Sequence, residues 1–162
     1  MNKHEVYALL KERDFWFEVT EHEAVYDMDA LTNIQMPYPD SQAKNLFIRD
    51  DKKRNFYLVS VQGDKRVDLK AFQEQHGTRR LSFASEKYLH NILNLTPGAV
   101  TPLGLLNDAD CTVQFFLDED LLAEPGVIGV HPNDNTATVW MKTADLIELI
   151  EDHGNAVTVF AA

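Results

Sequence analysis

The stretch KNLFIRDDKKRNFYLVSVQG, residues 44–63, holds two runs rich in β-branched and aromatic side chains, separated by a short charged segment. Two such runs joined by a few polar residues predict the antiparallel strands of a hairpin. Because side chains alternate along a strand, Leu46 and Ile48 fall on one face of the first strand and Asn45 and Phe47 on the other. We therefore expect this hairpin to lie within the main sheet of the protein.

Helices and further strands lie on both sides of this hairpin in the sequence, without strict alternation of strand, helix and strand. Asp68 and Gly77 bracket one helix as N-cap and C-cap residues, and apolar periodicity or β-rich runs predict the other elements. The helices are predicted at 3–13, 28–33, 69–76, 86–94 and 144–153, and the other strands at 15–22, 79–85, 111–118, 127–132, 135–141 and 156–160. Short loops between neighbouring strands favour antiparallel pairing. We predict one α+β (mixed α/β) domain over residues 1–162, with a mixed, largely antiparallel sheet wrapped by helices.

The composition limits the classes of partner. A formal net charge of −11 and a pI near 4.8 disfavour broad nucleic-acid binding, because contacts with phosphates need clustered Lys and Arg. The basic residues are nevertheless clumped at 49–54, 63–66 and 78–80. Two readings remain open, namely a local basic binding surface and an ordinary solvated face.

The cell compartment and the metal content are constrained by what the sequence lacks. A single cysteine excludes an internal disulfide and a cysteine-based zinc site. The N-terminal segment is too polar for a signal peptide, and no apolar run approaches the ~18 residues of a membrane span. The six histidines show no metal-ligand spacing. We predict a cytoplasmic protein with no membrane partner, no metal and no cofactor.

A loop between two predicted strands, GVHPNDNTATVWM at 129–141, is dense in polar groups. Gly129 permits close backbone approach by a ligand, and His131 is held in extended conformation by the following Pro132. Asn135 supplies an amide. The loop is either the rigid polar rim of a binding site or an Asn/Asp-rich turn.

Two other places carry candidate chemistry. Lys44 lies at the entrance of the first hairpin strand, where its compact charge suits a phosphate or carbonyl oxygen, although the residues alone favour a solvated lysine at a strand end. His22 and Tyr26 flank a short segment after the first predicted strand. They either line the same pocket or pack at the sheet edge.

Several segments together resemble the YbaK/ProX family of aminoacyl-tRNA deacylases, and most closely its free-standing branch that edits prolyl-tRNA. The resemblance extends from about Tyr7 to about Val159 and is specific as a set rather than in any single piece. The segments are KNLFIRDDKKRNFYLVSV, RVDLKAF, RLSFAS, GAVTPLGLLND and HPNDNTATV. It implies a mixed sheet wrapped by helices and a metal-free hydrolase whose substrate is mischarged tRNA, with alanyl-tRNA(Pro) the substrate of that branch.

The resemblance also assigns site residues. The family's lysine matches Lys44, followed by Asn45, and its glycine- and proline-containing loop matches 129–132. We expect Lys44, Gly129 and His131 to be catalytic, with backbone N–H groups of 129–131 holding the carbonyl oxygen. The YbaK branch has Gly-x-Ser-Pro in this loop, so the His131-Pro132 pair and its spacing argue against cysteinyl-tRNA(Pro).

Substrate contacts follow from the same assignment. We expect Asn45 and Asn135 to orient the ammonium group or the ribose, and a small apolar pocket to exclude larger amino acids. The residues expected to bind substrate are Asn45, His22, Tyr26, Ile34, Val130, Pro132 and Asn135, and those expected to contact the acceptor stem are Lys65, Arg79 and Arg80.

The expected partners are mischarged tRNA, above all tRNA(Pro), and prolyl-tRNA synthetase, but not DNA. Three alternatives remain open. The first is a deacylase of the same fold for tRNA charged with Ser, Thr or Cys. The second is a non-catalytic module that binds tRNA or a synthetase. The third, from composition alone, is a small α+β domain without chemistry.

Overall fold

A computed structural model describes residues 1–24 and 36–162. Tyr26, Ile34 and the predicted helix at 28–33 lie outside the described residues. The strands are β1 (Phe17–Glu21), β2 (Ala43–Asp50), β3 (Phe56–Gln62), β4 (Leu81–Phe83), β5 (Val113–Asp118), β6 (Val127–Val130), β7 (Ala137–Lys142) and β8 (Val157–Phe160). The helices are α1 (Lys3–Glu12), α2 (Leu69–His76), α3 (Glu86–Tyr88), which continues as a π-helical turn over Leu89–Leu93, and α4 (Thr143–His153).

The predicted hairpin lies inside a five-stranded sheet of order β4-β2-β3-β5-β8. Strands β2 and β3 are antiparallel, with Lys44 opposite Val61 and Ile48 opposite Tyr57. Strand β4 adds antiparallel to β2, whereas β3–β5 and β5–β8 are parallel pairs. The sheet is therefore mixed, and the predicted fold class is confirmed.

The remaining strands form a second sheet, which the sequence analysis did not separate from the first. Its order is β1-β7-β6, and all its pairs are antiparallel. A single parallel bridge between Gln42 and Gly129 joins the two sheets where β2 begins. This bridge brings the start of β2 beside the end of β6.

Two apolar clusters hold the layers together. The larger contains Leu10 of α1, Phe115 of β5 and Met141 of β7, each 0% exposed. The smaller lies on the other face of the five-stranded sheet, where Phe72 of α2 packs with Ile48 of β2. Both helices thus bury an apolar face against a sheet, as expected for amphipathic helices.

Helix α2 has the two ends that the sequence predicts. The Asp68 carboxylate accepts a hydrogen bond of 2.9 Å from the Lys70 amide, and Gly77 ends the helix in left-handed conformation with φ 64°. Over residues 1–24 and 36–162, no helix has both the length and the apolar character needed to cross a membrane.

Candidate active site

The bridge between Gln42 and Gly129 sets the geometry of the site. Because the bridge is parallel, both chains run in the same direction from it, and two residues further on they reach Lys44 and His131. Residues two apart on a strand point to the same face. The bridge therefore brings the chain segments that carry Lys44 and His131 together at the junction of the two sheets.

Lys44 is half-buried where β2 begins. Nowhere in residues 1–24 and 36–162 does its ammonium group find a hydrogen-bond or ion-pair partner. A partly buried cation without a neighbouring carboxylate is costly unless it serves a ligand. The position thus suits binding of an anionic or strongly polar group.

His131 is fixed in one tautomer. Its Nδ1 lies 2.8 Å from the carbonyl oxygen of Ala137, which can only accept, so Nδ1 carries the proton. Burial lowers the pKa of His131, and although the Ala137 hydrogen bond opposes this, the neighbouring His22 adds to the lowering. The ring is therefore neutral at pH 7, and its Nε2 is an acceptor with no hydrogen bond from any described residue.

His22 lies beside His131, with ring centroids 6.0 Å apart. Its expected contact with the substrate stays a prediction. Its Nδ1 donates to the Glu23 carbonyl oxygen at 2.8 Å, and its Nε2 lies 2.9 Å from the Thr138 hydroxyl. The His22 amide also donates to the Thr136 carbonyl oxygen at 3.0 Å, which extends the pairing of β1 with β7. Both ring nitrogens of His22 are therefore used within the protein.

The loop at 131–136 is held by its own side chains. Asp134 accepts hydrogen bonds from the Thr136 amide at 2.8 Å and from the Thr136 hydroxyl, and the second of these is the main reason that the pKa of Asp134 is lowered. Lys3 of α1 donates to the same hydroxyl at 3.0 Å. Pro132 is buried, and Asn135 is half-buried. The loop is thus a braced turn, and the substrate contacts of Pro132 and Asn135 stay predictions.

A second loop, 97–107, closes the other side of the site. The Thr101 hydroxyl donates to the His131 carbonyl oxygen at 2.6 Å. Asn45 Nδ2 donates to the Val100 carbonyl oxygen at 3.3 Å, and Ser60 donates to Asn45 Oδ1. Asn45 was predicted from the sequence, whereas Thr101 and Ser60 were not, although a threonine before proline at the start of a helical turn is a recognisable cap.

The expected role of Gly129 is revised by its surroundings. A Cβ atom at this position would lie 2.3 Å from Cζ3 of Trp140, so the missing side chain makes room for the indole and not for a ligand. Gly129 also pairs with Trp140 on one edge and with Gln42 on the other. A residue paired on both edges directs its own N–H to one neighbour, and the next residue directs its N–H to the other. The amides of Gly129 and Val130 are therefore directed into the sheets, which does not support a role for them in holding the carbonyl oxygen. The corresponding role of the His131 amide stays a prediction.

The burial of the Val130 side chain does not support its expected role in substrate binding. This side chain is 2% exposed and packs in the larger apolar cluster, on the face of β6 opposite His131.

Two of the three basic residues expected to contact tRNA are already paired. Lys65 lies 2.9 Å from the fully buried Asp118 and 2.6 Å from Asp120. Although burial lowers the pKa of Lys65, the hydrogen bonds to these carboxylates outweigh it and raise the pKa. Arg79 forms two hydrogen bonds with Asp51, at 2.6 and 3.1 Å. Of these three residues, Arg80 alone is exposed without an ion-pair partner in the described part of the chain. Lys65 is thus held in a structural ion pair, and the contacts of Arg79 do not support a tRNA-binding role.

The same part of the chain contains no group of three His, Cys, Asp or Glu arranged to hold a metal ion. The functional groups that the described residues bring to this site are an imidazole, an ammonium group and several hydroxyl and amide groups.

Comparison with known proteins identifies relatives over nearly the whole chain. A sequence model of the aminoacyl-tRNA editing domain matches residues 22–149. The prolyl-tRNA editing protein ProX of Acetoanaerobium sticklandii is 40% identical over 153 residues, which cover 94% of this chain and 93% of that protein. The mouse prolyl-tRNA synthetase associated domain-containing protein 1 is 32% identical over 142 residues, covering 85% and 83% of the two chains.

The fold is also similar to solved structures. A crystal structure described as a candidate trans-editing enzyme for prolyl-tRNA synthetase superposes with a TM-score of 0.71 at 22% identity, covering 99% of this chain and 96% of that one. A hypothetical protein, APE2540, gives a TM-score of 0.69 at 18% identity, covering 94% of this chain and 96% of that one. At these identities the likeness concerns the fold alone.

Proposed function

This chain belongs to the aminoacyl-tRNA editing domain family, and on that premise we propose that it hydrolyses the ester of alanyl-tRNA(Pro) in trans. A deacylase acting on mischarged tRNA follows from the family and from the relative that edits prolyl-tRNA. The observation that carries the proposal is the bridge of Gln42 with Gly129, from which both Lys44 and His131 are two residues distant. Lys44 is a cation without a partner among the described residues, and the Nε2 of His131 accepts no hydrogen bond from any of them.

His131 acts as the general base in this proposal. Its Nε2 accepts a proton from a water molecule as the water oxygen attacks the carbonyl carbon of the aminoacyl ester. When the tetrahedral intermediate collapses, the bond from the carbonyl carbon to the ribose oxygen breaks, and Nε2 returns the proton to that oxygen. The Ala137 carbonyl, 2.8 Å from Nδ1, stabilises the imidazolium ion formed between the two steps.

Lys44 supplies the positive charge. Negative charge develops on the carbonyl oxygen in the transition state, and a fixed donor near that oxygen is worth roughly 10²–10³ in rate. An ammonium group without a carboxylate partner in the described chain is available for this task. With the amides of Gly129 and Val130 used within the sheets, Lys44 is the described group best suited to it.

Selection of alanine rests on size. A tight pocket excludes a larger side chain by steric clash but rejects a smaller one only weakly. A second site that accepts alanine and excludes proline is therefore suited to editing after a synthetase specific for proline. The assignment of Tyr26 and Ile34 to the wall of this pocket stays a prediction, as does a complex with prolyl-tRNA synthetase.

The test is a deacylation panel with tRNA(Pro) carrying alanine or proline, and with tRNA carrying serine, threonine or cysteine. We expect alanyl-tRNA(Pro) to be hydrolysed fastest and prolyl-tRNA(Pro) to be spared, with the His131→Ala protein at the rate of the uncatalysed reaction. Faster hydrolysis of seryl-, threonyl- or cysteinyl-tRNA would replace alanine by that amino acid. No hydrolysis of any member would favour a non-catalytic tRNA-binding module.

A further inference from the structure

A small cavity lies at the edge of the five-stranded sheet, between β2, the end of β4, the start of α3 and the loop at 97–100. Its volume is about 200 Å³. It is smaller than the roughly 300–1,000 Å³ of sites for drug-sized molecules, so it suits a single ring system. Its apolar walls include Phe47, Ala84, Leu89, Pro97 and Val100.

Phe83 and Glu86 add an exposed aromatic ring and a carboxylate to the lining of this cavity. Phe83 is 61% exposed, the highest value among the exposed large apolar side chains of the described chain, and it lies at the cavity with its ring unburied. Exposed aromatic rings are the usual platforms for unpaired nucleobases. Glu86 brings a carboxylate to the same cavity, and a carboxylate accepts a hydrogen bond from an exocyclic amino group such as N4 of cytosine.

The cavity shares a wall with the candidate active site. Asn45 and Val100 both line the cavity, and they are joined by the hydrogen bond from Asn45 Nδ2 to the Val100 carbonyl oxygen. The next residue, Thr101, holds the His131 carbonyl oxygen at 2.6 Å. A nucleotide bound in the cavity is therefore separated from the reacting centre by one short segment of chain.

We propose that this cavity binds the base of the cytidine that precedes the terminal adenosine of tRNA, stacked on Phe83 with its N4 amino group on Glu86. This assignment rests on the proposed function, which puts the ester of the terminal adenosine at His131. Every tRNA ends in the unpaired sequence CCA, so the adjacent base is a cytosine with an exocyclic amino group. The carboxylate of Glu86 selects such a base over uracil, whose O4 only accepts.

The first test uses an uncharged acceptor-stem microhelix of tRNA(Pro), titrated to millimolar concentration and followed by NMR of the protein. We expect Phe83→Ala to weaken binding roughly tenfold, the size typical of one stacked base. Phe83→Tyr keeps the ring and stays within about twofold of the wild type. The matched control is Val159→Ala, since Val159 is 43% exposed on β8, away from the cavity, and its loss leaves the Kd unchanged.

The second test exchanges the hydrogen-bonding partners. A microhelix ending in CUA binds the wild type several-fold more weakly than one ending in CCA. The Glu86→Gln protein binds the CUA microhelix as well as the CCA microhelix, because the amide of Gln donates to O4 of uracil. The Kd for CUA divided by the Kd for CCA therefore falls towards one or below. Circular dichroism checks that each variant is folded.

An unchanged Kd in Phe83→Ala would overturn the subsite, and so would equal affinities of the wild type for the two microhelices. The absence of any shift in Phe83 resonances at millimolar microhelix would do the same. Because the microhelix is uncharged, these results are independent of hydrolysis. A protein that binds CCA as described but deacylates nothing would refute the proposed function and leave the subsite intact.

Discussion

The hydroxyl group of Thr101 donates a 2.6 Å hydrogen bond to the carbonyl oxygen of His131. Thr101 is fully buried, and the same hydroxyl accepts a hydrogen bond of 3.3 Å from the Leu103 amide. This single side chain therefore fixes the backbone of the candidate general base to the loop that also contacts Asn45. The position of the imidazole depends on a residue that does not touch it.

Thr101→Val tests this dependence. Valine keeps the shape of the side chain but removes the hydroxyl, which leaves the His131 carbonyl and the Leu103 amide without this partner. We expect the free energy of unfolding to fall by about 1–3 kcal/mol and kcat for deacylation to fall about tenfold, with KM little changed. Thr101→Ser keeps the hydroxyl and retains most of the activity. Equal kcat values for the Val and Ser variants would show that the bond does not position His131.

Lys44 and Lys65 are expected to respond in opposite ways to substitution by alanine. Lys44 has no partner in residues 1–24 and 36–162, so Lys44→Ala lowers kcat/KM by roughly 10²–10³ and leaves stability nearly unchanged. Lys65 neutralises the buried Asp118, which also accepts from the Gln62 and Asp120 amides. Lys65→Ala therefore lowers the free energy of unfolding by about 1–3 kcal/mol and leaves kcat/KM nearly unchanged.

Urea unfolding and steady-state deacylation of both proteins check this contrast. A wild-type rate in Lys44→Ala would remove Lys44 from the mechanism. A large loss of tRNA affinity in folded Lys65→Ala would restore Lys65 to the tRNA-binding surface.

Local patterns predicted the central hairpin and the caps of α2, because turn chemistry, alternation and capping act between residues close in sequence. The bridge of Gln42 with Gly129 joins two distant segments, so the division into two sheets was not predictable from local periodicity. The same limit explains the error at Gly129. A glycine gives the same signal whether a ligand or the ring of Trp140 fills the space beside it.

The charged residues show a related limit. Residues 78–80 form a basic cluster in the sequence. Whether each cation is available to bind a ligand depends on which carboxylates the fold brings beside it. Asp118 and Asp120 neutralise Lys65, and Asp51 neutralises Arg79. His22 and His131 lie close together because each directly follows a strand of the same sheet, a relationship that the sequence alone did not reveal.

The pH dependence of deacylation follows from the lowered pKa of His131. Burial disfavours the imidazolium form, so Nε2 stays available as an acceptor at pH 7 and is lost only as the pH falls through a value below the usual 6.5 or so. We expect kcat/KM, corrected for spontaneous hydrolysis, to be flat near neutral pH and to fall in acid with that low midpoint.

The matched control for this profile is His76→Leu. His76 also has a pKa lowered by burial, but it lies in an aromatic cluster with Phe72, Phe116 and Phe160, among the side chains that α2, β5 and β8 bury together. Its replacement leaves the acid limb in place, with the same low midpoint as in the wild type. A rate that rises as the pH falls would mean that His131 acts as an acid in the limiting step.

Gly129→Ala is expected to destabilise the protein through contact with Trp140 rather than through backbone strain. The new Cβ would lie 2.3, 2.6 and 2.9 Å from three atoms of the indole, and Trp140 is 0% exposed, so the ring has little room to move. Overpacking of this kind costs about 1–3 kcal/mol or more. Gly77→Ala is the matched control, since Gly77 has φ 64° and no atom within 4 Å of the added Cβ, so its cost comes from the backbone alone.

A double-mutant cycle with Trp140→Leu separates the two causes, with free energies of unfolding measured in urea. Removing the indole removes the clash, so Gly129→Ala should cost at least about 1 kcal/mol less in the Trp140→Leu background than in the wild type. The cost of Gly77→Ala should be the same in both backgrounds. Additive free energies for Gly129→Ala and Trp140→Leu would mean that the position requires the backbone conformation of glycine rather than space for the indole. A ligand contact at Gly129 would then have to be considered again.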